Sequence, residues 1–498
     1  MGWKGLERNK LDYILTDLLP VELSELFSFR PLYDFLLEKP RQKTIANLFE
    51  LLKSNMAEDK GKMLFEKLAT MPLKYNILKG TDSTREMSIV QPLSALNIFF
   101  FMECYQKDIL NYFGKYHCFS IRYHKKNTEL YYKTKAKGET QYFHRQSIRT
   151  GKGVVQQTGN YFKIGPFESI NSFSDSRIWR LCNFHYRYYA RIDYRSCFDS
   201  IYSHAYNWIV ERNIIDSKDA RNTNLFIAID RILQNINGRS SNGVIIGPEF
   251  SRMIAEVLLQ QIDSEVSLAL SNEKMEQGNE YNVFRYVDDI YIFSTSQESL
   301  DIVIKKFRSI GEKYRLHLNE LKLSKGETPC VPKSWLEKTR RLTDSLEGFF
   351  FIGKKSEFDK LSEEERHLFK DGYISVDRIK DEITVLMKEF PDGRRTIVSF
   401  LLSTRLNNIS KKKDGYTLFG EKPSKKALLI IDLALFIYSF CPNFDQTRKI
   451  ISMIVHMNEE VDFINDTAAN DKLQKLFADT RLYLSRGIFT TCAIGSHF

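Results

Sequence analysis

The segment FRYVDDIYIF, Phe284 to Phe293, places two adjacent carboxylates, Asp288 and Asp289, between two short runs of aromatic and aliphatic residues. Such runs favour β-strands, and an acidic pair between them favours a tight turn. The segment therefore predicts a β-hairpin that holds both carboxylates at the edge of a sheet. Because Mg²⁺ prefers oxygen ligands and is often held by carboxylates together with substrate phosphates, the pair indicates phosphoryl or nucleotidyl transfer. A solvated Asp-Asp turn is the alternative, since aspartate is a common turn residue.

The composition indicates an anionic partner and reduced cysteines. The chain has 498 residues, which suffice for several domains and a large core. With 73 Lys and Arg against 63 Asp and Glu, the formal net charge is +10, which favours a partner with a phosphate backbone. The seven cysteines include no CxxC pair, so free thiols are expected rather than disulfides or a zinc site.

The sequence predicts neither a secretion signal nor a membrane segment. The first ten residues, MGWKGLERNK, lack the apolar core of a signal peptide. The most apolar run, residues 427–440, contains Asp432 and is too short to cross a bilayer, so it predicts a buried helix. A cytoplasmic location without membrane contact is therefore expected.

The spacing of apolar residues changes twice along the chain. Residues 1–80 show helical spacing and predict a helical extension. Residues 81–335 mix strand-like and helical segments, with a helix expected over 243–266 after Pro248. Residues 336–498 are predicted to form successive amphipathic helices, and these could stack in pairs as a helical repeat. The expected fold class is α+β with an all-α C-terminal domain.

The stretch 117–152 interleaves aromatic and basic residues and contains almost no acid. Aromatic rings and cations together supply the stacking and charge by which proteins bind single-stranded nucleic acid. The stretch therefore predicts such a contact, with a solvated β-hairpin surface as the alternative. The aromatic residues concerned are Tyr131, Tyr132, Tyr142 and Phe143.

A third carboxylate, Asp193, ends a strand-like run about 95 residues before the Asp288–Asp289 pair, in the segment RIDYRSCFDSIYSHAYNWIV. Two-metal catalysis needs acids from different strands that share two cations roughly 3.5–4 Å apart. Asp193 is therefore the candidate that completes the set. Asp199 and His204 are assigned structural roles, because an acid at a helix start commonly caps it and most histidines are satisfied within the fold.

Four segments together resemble motifs A to D of the reverse transcriptase palm. They are the Asp193 segment, SNGVIIGPEFSRMIAEVLL (241–259), FRYVDDIYIF and LHLNELKLSKG (316–326), and the resemblance extends over about Arg85 to Lys325. The phrases FDSIYSH (198–204) and NGVIIGPEFSR (242–252) are similar to those of bacterial abortive-infection and defence-associated reverse transcriptases. The resemblance implies a palm and fingers fold over residues 81–335.

The resemblance also implies a role for individual residues. Metal ligands would be Asp193, Asp288 and Asp289, with the first two the main ligands. Phe198 stands at the steric gate that excludes a ribose 2′-hydroxyl, and Lys322 matches a lysine that protonates the departing pyrophosphate. The other nucleotide-binding positions it implies are Arg122 and Arg85, which would neutralise the triphosphate, and Asn242 and Gly243, which would support the templating base and incoming nucleotide.

The motif B segment departs from the family pattern. Reverse transcriptases usually carry Gln-Gly followed by Pro, whereas Asn242-Gly243 is followed by Val244 and Ile245, with Pro248 displaced. The related defence enzymes carry out template-independent or otherwise unusual DNA synthesis, in some cases primed from a protein hydroxyl. The expected function is therefore a Mg²⁺-dependent or Mn²⁺-dependent DNA polymerase of antiphage abortive infection that needs no template.

The expected partners are deoxynucleotides, the DNA product, a non-coding RNA and further copies of the chain in a homo-oligomer. Two alternative functions stay open. One is a retron-like reverse transcriptase that copies an RNA template. The other is a non-catalytic scaffold that keeps the fold to bind nucleic acid, although the presence of all three carboxylates and Phe198 argues against it.

Overall fold

The computed structural model describes residues 10–20, 27–57, 69–78, 84–127, 161–211, 225–330, 334–349, 352–354, 360–364, 376–402, 416–418, 423–461 and 465–484. The chain divides into two compact units. The first comprises residues 1–75, 87–134 and 149–332, and the second comprises 76–86, 135–148 and 333–498. The sequence-based domain boundaries at residues 80 and 335 stay predictions.

A four-stranded antiparallel sheet, here called the central sheet, carries the acidic residues of the first unit. Its strand order is β6-β7-β5-β8. Strands β6 and β7 pair from Tyr286 opposite Asp289, which leaves Val287 and Asp288 as a two-residue turn. The hairpin predicted from FRYVDDIYIF is therefore confirmed. The strands span β5 Tyr188–Asp193, β6 Tyr281–Tyr286, β7 Asp289–Ser294 and β8 Ser324–Glu327.

A helix of 24 residues, Glu249–Asn272, here called the central helix, packs in the same core as the sheet. It begins after Pro248, as the sequence predicted, because Pro248 has an extended backbone at the N-cap and cannot donate to a preceding turn, and it continues past Val266 to Asn272. The acid Glu249 then occupies the first turn, where the helix dipole favours negative charge. Buried Leu258, Ile292 and Phe307 belong to this one apolar core, which joins helix and sheet.

The remaining elements of the first unit are mostly helical, and β3 and β4 pair as an antiparallel hairpin. Strands β1 and β2 form a separate two-stranded sheet, whose residues 76–78 and 84–86 are grouped with the second unit. The prediction of a purely helical segment over residues 1–80 was therefore wrong at β1. The strands are β1 Leu73–Leu78, β2 Thr84–Ile89, β3 Arg122–Lys125 and β4 Lys163–Pro166, and the helices are Asp12–Thr16, Arg30–Leu36, Lys39–Ala57, Pro92–Tyr116, Ile170–Ser174, Arg177–His185, Cys197–Ser200, Ala205–Glu211, Leu225–Ile236 and Gln297–Lys313, with a 3₁₀ turn at Glu320–Lys322.

The second unit is built around the helix Pro423–Ser439, whose Ile430, Leu433 and Ile437 are fully buried. This confirms the helix predicted over 427–440. The unit is not all-α as expected, because β9 and β10 pair antiparallel. Its elements are the helices Leu336–Phe349, Val376–Glu389, Arg394–Leu401, Pro423–Ser439, Phe444–Val461 and Thr467–Leu484, the 3₁₀ turn Pro391–Gly393, and the strands β9 Ile352–Lys354 and β10 Tyr416–Leu418.

Taken over the described ranges alone, the helices include none whose length and apolar character would let it cross a membrane.

Candidate active site

One end of the central sheet brings together the three carboxylates that the sequence singled out. Asp193 is the last residue of β5 and Asp289 is the first of β7, and the two are direct partners in the antiparallel register. Asp288 lies in the turn immediately before Asp289. Burial, followed by the charges of Asp289 and Asp193, raises the pKa of Asp288, whereas Lys322 lowers it. Residues far apart in the sequence therefore form one acidic cluster.

The turn that presents Asp288 has a strained backbone. Val287 adopts a φ of 58°, a left-handed conformation that a β-branched residue rarely takes and that costs on the order of 1–3 kcal/mol. Two-residue hairpin turns that need a positive φ at the first position normally use glycine there. The chain therefore keeps an unfavourable conformation at the position directly before Asp288.

Two half-exposed cations pair with two of the carboxylates. The Lys322 Nζ lies 2.6 Å from Asp193 Oδ2, and the Arg191 Nη2 lies 2.8 Å from Asp289 Oδ1. The backbone fixes where Lys322 approaches, because the Asn319 N–H donates to the Asp193 carbonyl at 2.9 Å. Asp288 is the member of the acidic cluster for which the structure gives no ion pair.

The donor set fits a divalent cation. Asp193 is 5% exposed, and its Oδ1 is a buried oxygen with no hydrogen-bond partner. Such an oxygen, in a cluster whose charges repel one another, is suited to a hard cation. As they stand, no three His, Cys, Asp or Glu side chains among the described residues are close enough to hold a metal. Because Asp193 Oδ2 and Asp289 Oδ1 each contact a cation, Lys322 and Arg191 would have to move away before these oxygens could bind a metal.

The loop after Asp193 and the Asn242–Gly243 segment are joined by backbone hydrogen bonds. The Val244 N–H donates to the Phe198 carbonyl at 2.8 Å, and the Gly243 N–H donates to the Ile201 carbonyl at 2.9 Å. Gly243 has a φ of 79°, which favours glycine, and a Cβ there would lie 3.4 Å from the Asp199 carbonyl. The structure therefore brings the predicted gate residue beside the predicted nucleotide-supporting loop.

Arg122 lies inside the first unit and is engaged there. Its side chain is 9% exposed, and its Nη2 lies 2.7 Å from Glu249 Oε1. His124 and Arg252 contact the same carboxylate. These hydrogen bonds and charges hold the pKa of Glu249 well below its usual range, against the opposing effect of burial. The contact of Arg122 with a triphosphate stays a prediction.

Two further predicted contacts, that of Arg85 with nucleotide and that of the aromatic residues of the 117–152 stretch with nucleic acid, stay predictions. Arg85 lies on the exposed half of β2, in a segment grouped with the second unit, and its contact with nucleotide stays a prediction. The aromatic residues Tyr131, Tyr132, Tyr142 and Phe143 lie outside the described residues.

Sequence reasoning missed two arginines that contact the acidic hairpin. Arg191 is two residues before Asp193, so strand periodicity places both on one face of β5, and this signal could have identified it. Arg285 lies at an inward position of β6 and is fully buried. The available signal for Arg285 was its place in the sequence of β6, at a position that strand alternation puts on the same buried face as Tyr281 and Val283. His204, assigned a structural role from sequence, pairs with the buried Asp230 at 2.8 Å.

Comparison with known proteins identifies the class of this region. Residues 157–353 match the family model of the reverse transcriptase (RNA-dependent DNA polymerase). The chain therefore contains a reverse transcriptase domain, which includes the central sheet and all three carboxylates. None of the curated proteins matches the chain.

Among solved structures, the chain is similar to telomerases of two Candida species. The telomerase of Candida albicans, solved with a TWJ fragment of telomeric RNA, is 12% identical with a TM-score of 0.28, over 90% of this chain and 68% of that one. The apo telomerase of Candida tropicalis is 11% identical with a TM-score of 0.32, over 90% and 72%. A C. tropicalis apo form lacking its C-terminal domain is 19% identical with a TM-score of 0.25, over 34% of this chain and 37% of that one. The chain thus spans just over a third of that telomerase chain.

Proposed function

We propose that this chain is a Mg²⁺-dependent DNA polymerase that transfers deoxynucleotides to a hydroxyl group. The observation that carries the proposal is the acidic cluster itself. Asp193 on β5 and the Asp288–Asp289 pair of the neighbouring hairpin meet at one end of a sheet inside the reverse transcriptase domain. The unpartnered Asp193 Oδ1 and the raised pKa of Asp288 describe a group of oxygens that a divalent cation would stabilise.

The residues in and around the cluster would have different roles in nucleotide transfer. Asp193 and Asp288 would be the main metal ligands, because Asp193 keeps a buried oxygen without a hydrogen-bond partner and Asp288 has no ion pair, and Asp289 would be the third ligand. When bound, the metal ions would lower the pKa of the attacking hydroxyl and neutralise charge on the leaving pyrophosphate. Lys322, whose side chain is 64% exposed, could leave Asp193 and donate a proton to that leaving group or stabilise its negative charge. Phe198 would exclude the 2′-hydroxyl of a ribonucleotide by contact with its ring.

The finer proposal is that synthesis needs no template and serves antiphage abortive infection. It is supported by the phrases FDSIYSH and NGVIIGPEFSR and by the absence of the Gln-Gly-Pro pattern at Asn242–Gly243. A polymerase that does not read a template needs no loop to support a templating base. In this proposal a protein hydroxyl primes the product, and the working form is a homo-oligomer in the bacterial cytoplasm.

A second candidate is templated synthesis from a non-coding RNA. The matched family model describes an RNA-dependent DNA polymerase, and this description favours an RNA template. The net charge of +10 is compatible with either candidate, because both the RNA and the DNA product carry a phosphate backbone.

One experiment separates these candidates. Purified protein is incubated with Mg²⁺ and labelled deoxynucleotides, with and without added RNA, and the products are separated by denaturing electrophoresis before and after protease digestion. Product without RNA, whose mobility changes on digestion, is expected for protein-primed, template-independent synthesis. Product only with RNA would establish the templated candidate, and no product under either condition would favour the non-catalytic scaffold. The Asp288→Asn protein serves as the control for contaminating polymerases.

A further inference from the structure

A buried guanidinium lies directly beneath the acidic turn. Arg285 is fully buried, because the alternation of β6 turns it inward together with Tyr281 and Val283. A charge at such a position is unfavourable unless every donor is paired. Its main chain is also fixed, since its N–H donates to the Phe119 carbonyl at 2.8 Å. Arg285 is therefore held at both backbone and side chain.

The Arg285 guanidinium makes four hydrogen bonds. Nε donates to Asp263 Oδ2 at 2.8 Å, and Nη1 and Nη2 each donate to one oxygen of Glu256 at 2.9 Å. Nη2 also lies 2.7 Å from Asp263 Oδ2. The remaining donor of Nη1 reaches the Val287 carbonyl at 2.9 Å. Three of the four hydrogen bonds therefore bind the two carboxylates, and the fourth binds the turn that carries Asp288.

The two carboxylates come from the central helix. Glu256 is 4% exposed and Asp263 is fully buried, and their separation of seven positions places them two turns apart on one helix face. Burial, together with the charge of Glu256, raises the pKa of Asp263 to about 6, although Arg285 acts to lower it. Arg285 thus links the central helix to the Val287 carbonyl, whose peptide plane is shared with the Asp288 N–H.

We propose that Arg285 is a positioning residue for nucleotidyl transfer, one that holds the Val287–Asp288 peptide so that Asp288 faces Asp193. This inference rests on the proposed function. Val287 keeps a left-handed backbone, and a hydrogen bond to its carbonyl from a rigid donor opposes relaxation of the turn. Glu256 and Asp263 act one step further away, because they fix the guanidinium and do not contact the turn.

The test compares Arg285→Lys with a control on the central helix. A lysine keeps the charge, but its single ammonium cannot bind both carboxylates and the Val287 carbonyl in the same geometry. The control is Val266→Ala, which removes fully buried methyl groups from the same helix and leaves Arg285 and its hydrogen-bond partners unchanged in sequence. Each protein is measured for melting temperature, kcat and KM for a deoxynucleotide, and Mn²⁺ affinity by electron paramagnetic resonance without nucleotide.

Arg285→Lys is expected to lower kcat and Mn²⁺ affinity by about 10-fold or more, as loss of a supporting contact around a metal site commonly does. KM for the deoxynucleotide should change little. Val266→Ala should lower the melting temperature and leave kcat and Mn²⁺ affinity as in the wild type. If Arg285→Lys lowers only the melting temperature, the residue is structural and the inference is overturned.

Two further measurements keep the outcome decisive. If Arg285→Lys does not fold, Glu256→Gln decides, because it leaves Arg285 paired with Asp263 and should lower kcat and Mn²⁺ affinity in the same direction; wild-type values would overturn the inference. Asp288→Asn separates this inference from the proposed function. Equal Mn²⁺ affinity in wild type and Asp288→Asn would overturn the metal site itself, whereas weak binding in Asp288→Asn with wild-type binding in Arg285→Lys would overturn only the positioning role.

Discussion

Two groups of charges lie close together in the first unit and are built in opposite ways. At the end of the central sheet, Asp193 and Asp289 pair with Lys322 and Arg191, whose side chains are 64% and 49% exposed. Beneath the turn, Glu256 and Asp263 pair with Arg285, which has no exposure at all. In the first of these groups, here called the upper group, the cations are exposed to solvent. In the second, here called the lower or sealed group, the cation is fully buried.

The difference indicates which group can change during function. The cations of the pairs at the end of the sheet are half-exposed, so water can solvate them when they leave and a bound metal ion can take their place beside the carboxylates. Removing one partner of a sealed pair costs roughly 3–5 kcal/mol, because a buried charge is left alone. We therefore expect the upper pairs to open and close, and the lower pairs to stay fixed.

The largest effect is expected from Asp288→Asn. The amide keeps the volume but loses a charged oxygen ligand, so incorporation should fall by about 10³-fold or more. The melting temperature should be unchanged or higher, because burial and the neighbouring carboxylates disfavour the charged form of Asp288. Incorporation and thermal unfolding are measured on the same preparation. The matched control is Asp301→Asn, which changes an exposed acid on the Gln297–Lys313 helix, and full activity in Asp288→Asn would contradict the site.

Lys322→Gln should act in two opposite directions. Loss of the general acid should lower kcat by about 10²-fold. Loss of the ammonium that pairs with Asp193 should at the same time raise Mn²⁺ affinity, because one competitor for that carboxylate is gone. Both quantities are measured by the assays described for Arg285. Lys325→Gln changes a nearby lysine that pairs with Asp301 and should alter neither, and a fall in Mn²⁺ affinity in Lys322→Gln would show that the lysine does not compete with the metal.

Phe198→Ala should leave deoxynucleotide incorporation largely intact and admit ribonucleotides. Removing the ring removes a steric contact, so the preference for deoxynucleotides should fall by roughly 10–100-fold. The measurement is the ratio of kcat/KM for matched deoxy- and ribonucleotides. Phe198→Tyr keeps the ring and should keep the preference for deoxynucleotides. If Phe198→Ala still rejects ribonucleotides, the steric gate lies at another residue.

The acidic hairpin could be predicted from sequence because its information is local. Aromatic and aliphatic runs on both sides of Asp288–Asp289 specify two strands and a turn, and the structure has both. The pairing of Lys322 with Asp193 and the cluster around Arg285 could not be derived in the same way. They depend on which distant residues the tertiary fold places opposite one another, and a single sequence does not specify those pairings.

The expectation of an all-α C-terminal domain failed for a related reason. Strands β9 and β10 have three residues each and lie far apart in the sequence, so neither has enough alternation to be recognised alone. The helix Pro423–Ser439 was recognisable because its apolar run is long enough to exclude a strand.

Asp263→Asn tests the sealed group directly, through the pH dependence of stability. The pKa of Asp263 rises from 3.8 to about 6 in the fold, so the folded protein binds the proton more tightly than the unfolded chain does. The resulting stability is present at low pH and is lost as the pH rises through about 6. Between about pH 5 and about pH 7.5 the wild type should lose about 1 kcal/mol of unfolding free energy relative to Asp263→Asn. Urea unfolding at the two pH values measures the difference. A difference that stays constant would show that Asp263 is charged over the whole pH range. The carboxylates of the upper group must also be charged to bind a metal, so the two groups would then not differ in their protonation.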